Sequence, residues 1–112
     1  MIAAVCLGTN DLVGAGEFYD RVLGTIDMVR LEADDVEVGY GVPGGAVALW
    51  VLIPFNREPA THGNGSQIIF DAPDSETVDR FYKAAIDNGG SDEGAPGSVS
   101  YTHLTLPTIY SV

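Results

Sequence analysis

The sequence predicts an α+β fold of duplicated strand-helix-strand-strand-strand modules, the second incomplete. Three observations carry this expectation. Short apolar runs at strand spacing are interleaved with two apolar stripes at helical spacing. Each stripe opens on a helix-start cluster, Asn10-Asp11 in one case and Pro73-Asp74-Ser75 in the other. An offset of 63 residues sets Asp74 over Asp11, Phe81-Tyr82 over Phe18-Tyr19, and Ile68 and Phe70 over Val5 and Leu7, the mark of an internal repeat.

The opening run Ile2–Leu7 reads as a strand that stops at Gly8-Thr9-Asn10-Asp11. With Asn10 as the expected N-cap, Leu12, Ala15, Phe18, Tyr19, Val22 and Leu23 recur along one helix face. Gly24 ends that helix. Gly14 and Gly16 each cost about 1 kcal/mol against alanine in a helix interior, so this helix must lean on tertiary packing. Strands are then expected over Met28–Leu31, Val36–Tyr40 and Ala46–Ile53. The last is the most apolar stretch, with Val47, Leu49, Val51 and Ile53 on one face and Trp50 on the other. Residues 54–65 carry the Pro, Gly, Asn and Thr of a loop. The pattern then restarts with a strand over Gln67–Phe70 and a helix whose stripe is Val78, Phe81, Tyr82 and Ala85, ended by Gly89-Gly90. The expected boundaries are a domain over 1–98, with a first module 1–57 and a partial second module 64–98.

At 112 residues and 46% hydrophobic, the chain can bury one core but not two independent ones. Sixteen acidic residues against five basic ones, a formal charge of −11, repel phosphate backbones and exclude nucleic acid as a partner. A single cysteine excludes an intrachain disulfide and a multi-cysteine zinc site, which fits a reducing compartment. No basic leader precedes the start and no apolar run reaches the length of a membrane span. A cytoplasmic protein without a membrane partner is the expectation.

The segment Val99–Val112 lacks every Asp, Glu, Lys and Arg. Its Val99-to-Thr108 stretch resembles the conceptual translation of a transposase adapter used in sequencing libraries. We therefore expect a non-native tail, with no role for His103, a strand or extended arm over Val99–Leu106, and Pro107 ending any ladder it joins.

Gly39-Tyr40-Gly41-Val42-Pro43-Gly44 spells the G-x-G-x-x-G dinucleotide fingerprint. The fingerprint needs a helix behind its third glycine, whereas β-patterned sequence follows, so a strand-to-strand turn is expected. Asn64-Gly65-Ser66 reads as turn chemistry rather than a glycosylation site. Cys6 reads as a buried thiol within a strand, and His62 as a solvated loop residue.

Leu7-Gly8-Thr9-Asn10-Asp11-Leu12 ahead of the first helix, with Phe18-Tyr19-Asp20-Arg21-Val22-Leu23-Gly24 inside it, resembles the vicinal oxygen chelate superfamily of glyoxalases, bleomycin-resistance proteins and extradiol dioxygenases. Ala48-Leu49-Trp50-Val51 and Gly90–Gly97 are similar to small bacterial glyoxalase-like members. The resemblance covers about residues 1–97 and implies a sheet curled around a cupped site whose metal ligands come from both modules. The first-strand ligand, usually His, falls on Ala4, and the fourth-strand ligand, usually Glu, falls on or beside Trp50. The repeat equivalent of Ala4 is Gln67, whose amide oxygen ligates only weakly.

The resemblance therefore implies no cofactor and a non-catalytic protein binding a small, partly apolar molecule. Trp50, Gln67, Cys6 and Tyr40 are the expected ligand-contacting residues, and a homodimer is the expected assembly. The alternative is a metal-dependent lyase, isomerase or dioxygenase whose missing divalent-metal ligands come from sequence beyond this chain or from a partner.

Overall fold

A computed structural model describes residues 1–61, 66 and 68–90. Its elements run β1 (Val5–Gly8), α1 (Leu12–Gly24), β2 (Val29–Ala33), β3 (Glu37–Gly41), β4 (Leu49–Leu52) and α2 (Ser75–Asp87). The strands form one sheet in the order β1-β4-β3-β2. β1 runs parallel to β4, and β3 lies antiparallel to both its neighbours. This is the α+β arrangement expected from the sequence.

Strand alternation sends Val38 and Tyr40 of β3 and Leu49 and Val51 of β4 to one face, where they meet the stripe Ala15, Phe18, Tyr19, Val22 and Leu23 of α1. All nine are buried. α2 adds Phe81 and Ala85 to this core and packs against α1 rather than against a strand. Phe18 and Tyr19 meet edge to face with ring centroids 5.0 Å apart, a favoured aromatic geometry.

The 63-residue repeat holds to the residue in the helices. Both are 13 residues long, and both are capped by an aspartate whose carboxylate accepts from the amide three positions on, Gly14 for Asp11 and Thr77 for Asp74. The cap of α1 is thus Asp11 and not Asn10. Asn10 is drawn away because its amide pairs with the backbone of Ala60, accepting from the Ala60 N–H at 2.7 Å and donating to its carbonyl at 3.3 Å. Gly14 falls in the first turn, where its N–H serves the cap.

The strands are shorter than their apolar patterns. β1 begins at Val5 rather than Ile2, because β4 opens opposite it at Leu49 and offers no ladder earlier. β4 keeps only Leu49–Leu52 of the expected Ala46–Ile53, because residues 42–45 form the turn. There the Gly45 N–H donates to the Val42 carbonyl and Gly44 takes a φ of +79°, open to glycine at no steric cost. The glycine fingerprint is therefore a strand followed by a turn, as its context required. The strand expected over Gln67–Phe70 does not form at residues 68–70. No ladder partner meets them among the described residues, and Ile68 and Phe70 turn instead onto the helical core, with the Phe70 ring 5.6 Å from that of Phe81. Gln67, His62, Asn64-Gly65 and the whole tail from 99 lie outside the described residues.

Candidate functional site

Among the described residues, helices cover only one of the sheet's two faces. Register identifies the residues of the other, open face. Trp50 pairs with Gly39 and with Cys6, and Leu52 pairs with Glu37 and with Gly8, so these side chains share one side. A bulge between Arg30 and Glu32 shifts the β2 register and brings two successive residues, Leu31 and Glu32, to this side. Arg30 stays on the helix side.

Trp50 lies across Gly39. A Cβ at Gly39 would stand 2.8 Å from Trp50 Cζ3 and 2.9 Å from both methyl carbons of Val47. Only a residue without a side chain leaves room for the indole to approach the strand this closely. Trp50 is half-buried and, with Leu31 and Leu52, stands outside the hydrophobic cluster shared by the helices and sheet. It forms a floor rather than a core filling. One end of this floor is walled. A Cβ at Gly8 would meet Ala60 Cβ at 3.2 Å and Pro54 Cγ at 3.4 Å, so residues 54–60 fold over the end of β1 and β4, held there by Asn10.

Of the four expected ligand-contacting residues, the structure sets two side by side and one on the other face. Trp50 and Cys6 are neighbours in one cross-strand row. Cys6 is exposed, not buried, because among the described residues β1 is an edge strand with no helix over this face. Tyr40 lies on the opposite face and is fully buried. Its hydroxyl bonds to the Gly16 carbonyl at 3.0 Å and to Asp20 Oδ1 at 2.9 Å, and burial holds it well above the usual phenol range, so it acts as a donor. Asp20 in turn receives Arg30 through Nε at 3.1 Å and a second guanidinium nitrogen at 2.8 Å. Tyr40 thus pins α1 to the sheet. Gln67 is outside the described residues.

Leu31, Glu32, Glu37 and Gly39 belong to the open face although sequence reasoning passed over them. Alternation within Glu37–Gly41 did carry the signal, since Val38 and Tyr40 are the apolar pair and must face the core. For Leu31 and Glu32 there was none, because the bulge is not legible in the sequence.

Two of the metal-ligand positions implied by the resemblance do not suit a cation. Ala4 carries no donor atom, and the indole of Trp50 offers an N–H but no lone pair in its plane. Among the described residues no three of His, Cys, Asp and Glu converge. No described helix is long and apolar enough to cross a membrane.

No protein-family model matches the sequence, and no curated protein does. Among solved structures, the chain is similar to the crystal structure of a glyoxalase/bleomycin resistance protein from Albidiferax ferrireducens T118. The two share 40% sequence identity at a TM-score of 0.76, over 85% of this chain and 76% of that one. With the strand order, the paired capped helices and this likeness in hand, the chain belongs to the glyoxalase/bleomycin resistance proteins of the vicinal oxygen chelate superfamily.

Proposed function

We propose that this protein binds a small, partly apolar molecule on the open face of the sheet, without a metal ion and without catalysis. The observation that carries the reading is Trp50, whose ring crowds the Cα of Gly39 on a face that no described helix covers. An aromatic floor with a few polar groups at its edge is the usual make-up of a small-molecule site. The family chemistry requires a divalent ion held by several protein donors, and two of the positions implied for it are Ala4 and Trp50.

The test is the metal content of the purified protein together with its melting temperature before and after chelation. Substoichiometric metal and an unchanged melting temperature are expected. Stoichiometric zinc, nickel, iron or manganese would overturn the metal-free reading in favour of a metal-dependent lyase, isomerase or dioxygenase.

The same reading includes a homodimer in the cytoplasm. Among the described residues β1 is an edge strand exposing Val5 and Cys6, and such an edge invites a second strand. An exposed free thiol suits a reducing compartment. A concentration-independent monomer in sedimentation would count against the dimer.

A further inference from the structure

We infer that Asn88-Gly89, where α2 ends against α1, is a self-modification site held shut by Arg21: Asn88 loses its amide nitrogen once the joint between the helices opens. The sequence supplies the chemistry. An asparagine followed by glycine is the pair most open to attack by its own backbone, because glycine has no side chain to shield the attacking nitrogen. The Gly89 nitrogen gives up its proton and bonds to Asn88 Cγ. The Cγ–Nδ2 bond breaks, and the nitrogen leaves as ammonia. Water then opens the five-membered imide at one of its two carbonyls. The product is aspartate or isoaspartate, the latter with the main chain routed through the side chain. No oxidant or reductant takes part, and Asn88 is only half-buried, so water reaches it.

The closed joint blocks this reaction. Asn88 is the C-cap of α2 with a ψ of 19°. At that angle the Gly89 nitrogen nearly eclipses the nitrogen of Asn88 and stands away from its side chain, so ring closure needs a large rotation about the Cα–C bond. That rotation breaks the turn, in which the Gly89 N–H donates to the Ile86 carbonyl at 3.3 Å and the Gly90 N–H to the Ala85 carbonyl at 2.7 Å. The carboxamide is held at both ends. Arg21 Nη1 donates to Asn88 Oδ1 at 3.1 Å, and Asn88 Nδ2 donates to the Ala84 carbonyl at 2.7 Å. Of these four bonds, only the one from Arg21 crosses between the helices, so its release is the local opening that exposes the site. The product does not fit the closed form. Aspartate has no donor for the Ala84 carbonyl and adds negative charge at the negative end of α2. Isoaspartate adds a methylene to the main chain and pulls Gly89 and Gly90 away from Ile86 and Ala85. Gly90 also abuts the α1 core, since a Cβ there would stand 3.4 Å from Phe18 Cε1. The modification therefore forms from the open joint and keeps it open.

The experiment ages the full-length protein at mildly alkaline pH, folded or in concentrated urea, and then digests it with trypsin. Cleavage after Lys83 puts Asn88 on a peptide that excludes the other Asn-Gly pair, Asn64-Gly65, and mass spectrometry reads the converted fraction. Asn88 should convert at least about ten-fold more slowly in the folded protein than in urea. Arg21→Ala should speed conversion in the folded protein about five-fold, the effect of one lost hydrogen bond, and leave the rate in urea unchanged. Asn10→Ala weakens the fold away from α2 and should leave the folded rate unchanged. Equal rates in folded and unfolded protein overturn the inference, and so does an Arg21→Ala protein that converts no faster than the parent. Equal acceleration by Arg21→Ala and Asn10→Ala also overturns it, because the opening would then be global unfolding. The fraction carrying isoaspartate at position 88 should melt below the unconverted fraction. Identical melting overturns the loosening of the joint and leaves the guarded site standing.

Discussion

Gly16 sits in the interior of α1, where glycine costs about 1 kcal/mol against alanine, so Gly16→Ala should stabilise the protein unless something occupies the place of the methyl group. Something does. A Cβ there would stand 2.7 Å from a terminal guanidinium nitrogen of Arg30, with the Tyr40 hydroxyl oxygen farther off at 3.9 Å. The obstructing group is the end of a flexible side chain, which can swing out at the cost of its bonds to Asp20. That ion pair is half-exposed, with side-chain exposures of 41% and 43%, and exposed pairs contribute about 0 to 1 kcal/mol. The helix gain and the ion-pair loss therefore nearly cancel, and Gly16→Ala should shift unfolding stability by less than about 1 kcal/mol in either direction. In an Arg30→Gln background, with no guanidinium to displace, the same substitution should stabilise by about 1 kcal/mol. Urea unfolding of the four proteins closes the cycle. Destabilisation beyond about 2 kcal/mol by Gly16→Ala alone would refute the argument. It would mean that Arg30, Asp20 and Tyr40 act as one buried network and not as an exposed pair beside a buried hydroxyl.

Gly39→Ala pushes a methyl group into Trp50 and Val47; about 1 to 3 kcal/mol of overpacking outweighs the smaller backbone gain, and the Trp50 fluorescence maximum should move while far-UV circular dichroism does not. Asn10→Ala removes both bonds to the Ala60 backbone, about 1 kcal/mol each, so trypsin should cut after Arg57 at least about ten-fold faster, since cleavage follows the open population. Asp74 at the start of α2 is held below the usual carboxylate range by the Thr77 amide, then by its hydroxyl. Its folded pKa is depressed, so its contribution is complete above the ordinary aspartate range and is lost as the pH falls below it. Asp74→Asn should therefore flatten the acid limb of the stability–pH curve, and thermal melts between neutral and strongly acid pH read the difference.

Helices were the most legible part of this chain because each writes its core face several times over. The α1 stripe from Leu12 to Leu23 and the 63-residue repeat located both helices, and the structure caps them on Asp11 and Asp74. Strand ends were less legible, since Ile2-Ala3-Ala4 is as apolar as Val5-Cys6-Leu7 and only the start of β4 decides where pairing begins. The choice between Asn10 and Asp11 as cap could not be read locally. Both side chains can cap, and Asn10 is taken by a backbone fifty residues away. The role of Tyr40 was obscured for a different reason. Alternation groups it with Val38, but a tyrosine serves equally well in a core or a site, and only its contacts with Gly16 and Asp20 assign it.

The two faces of the sheet use glycine for the same purpose with different consequences. Gly16 leaves room for Arg30, and Gly39 leaves room for Trp50. Arg30 can retreat into water, where a guanidinium is well solvated, so filling Gly16 costs little. Trp50 has no such retreat, because moving it exposes a large apolar ring or forces it into Val47. The helix-facing position therefore tolerates a methyl group, while the open-face position fixes the indole. It follows that substitutions at Tyr40, Asp20 and Arg30 should move stability without changing what binds. Those at Glu32 and Glu37 should change binding more than stability, because their side of the sheet contributes least to the core.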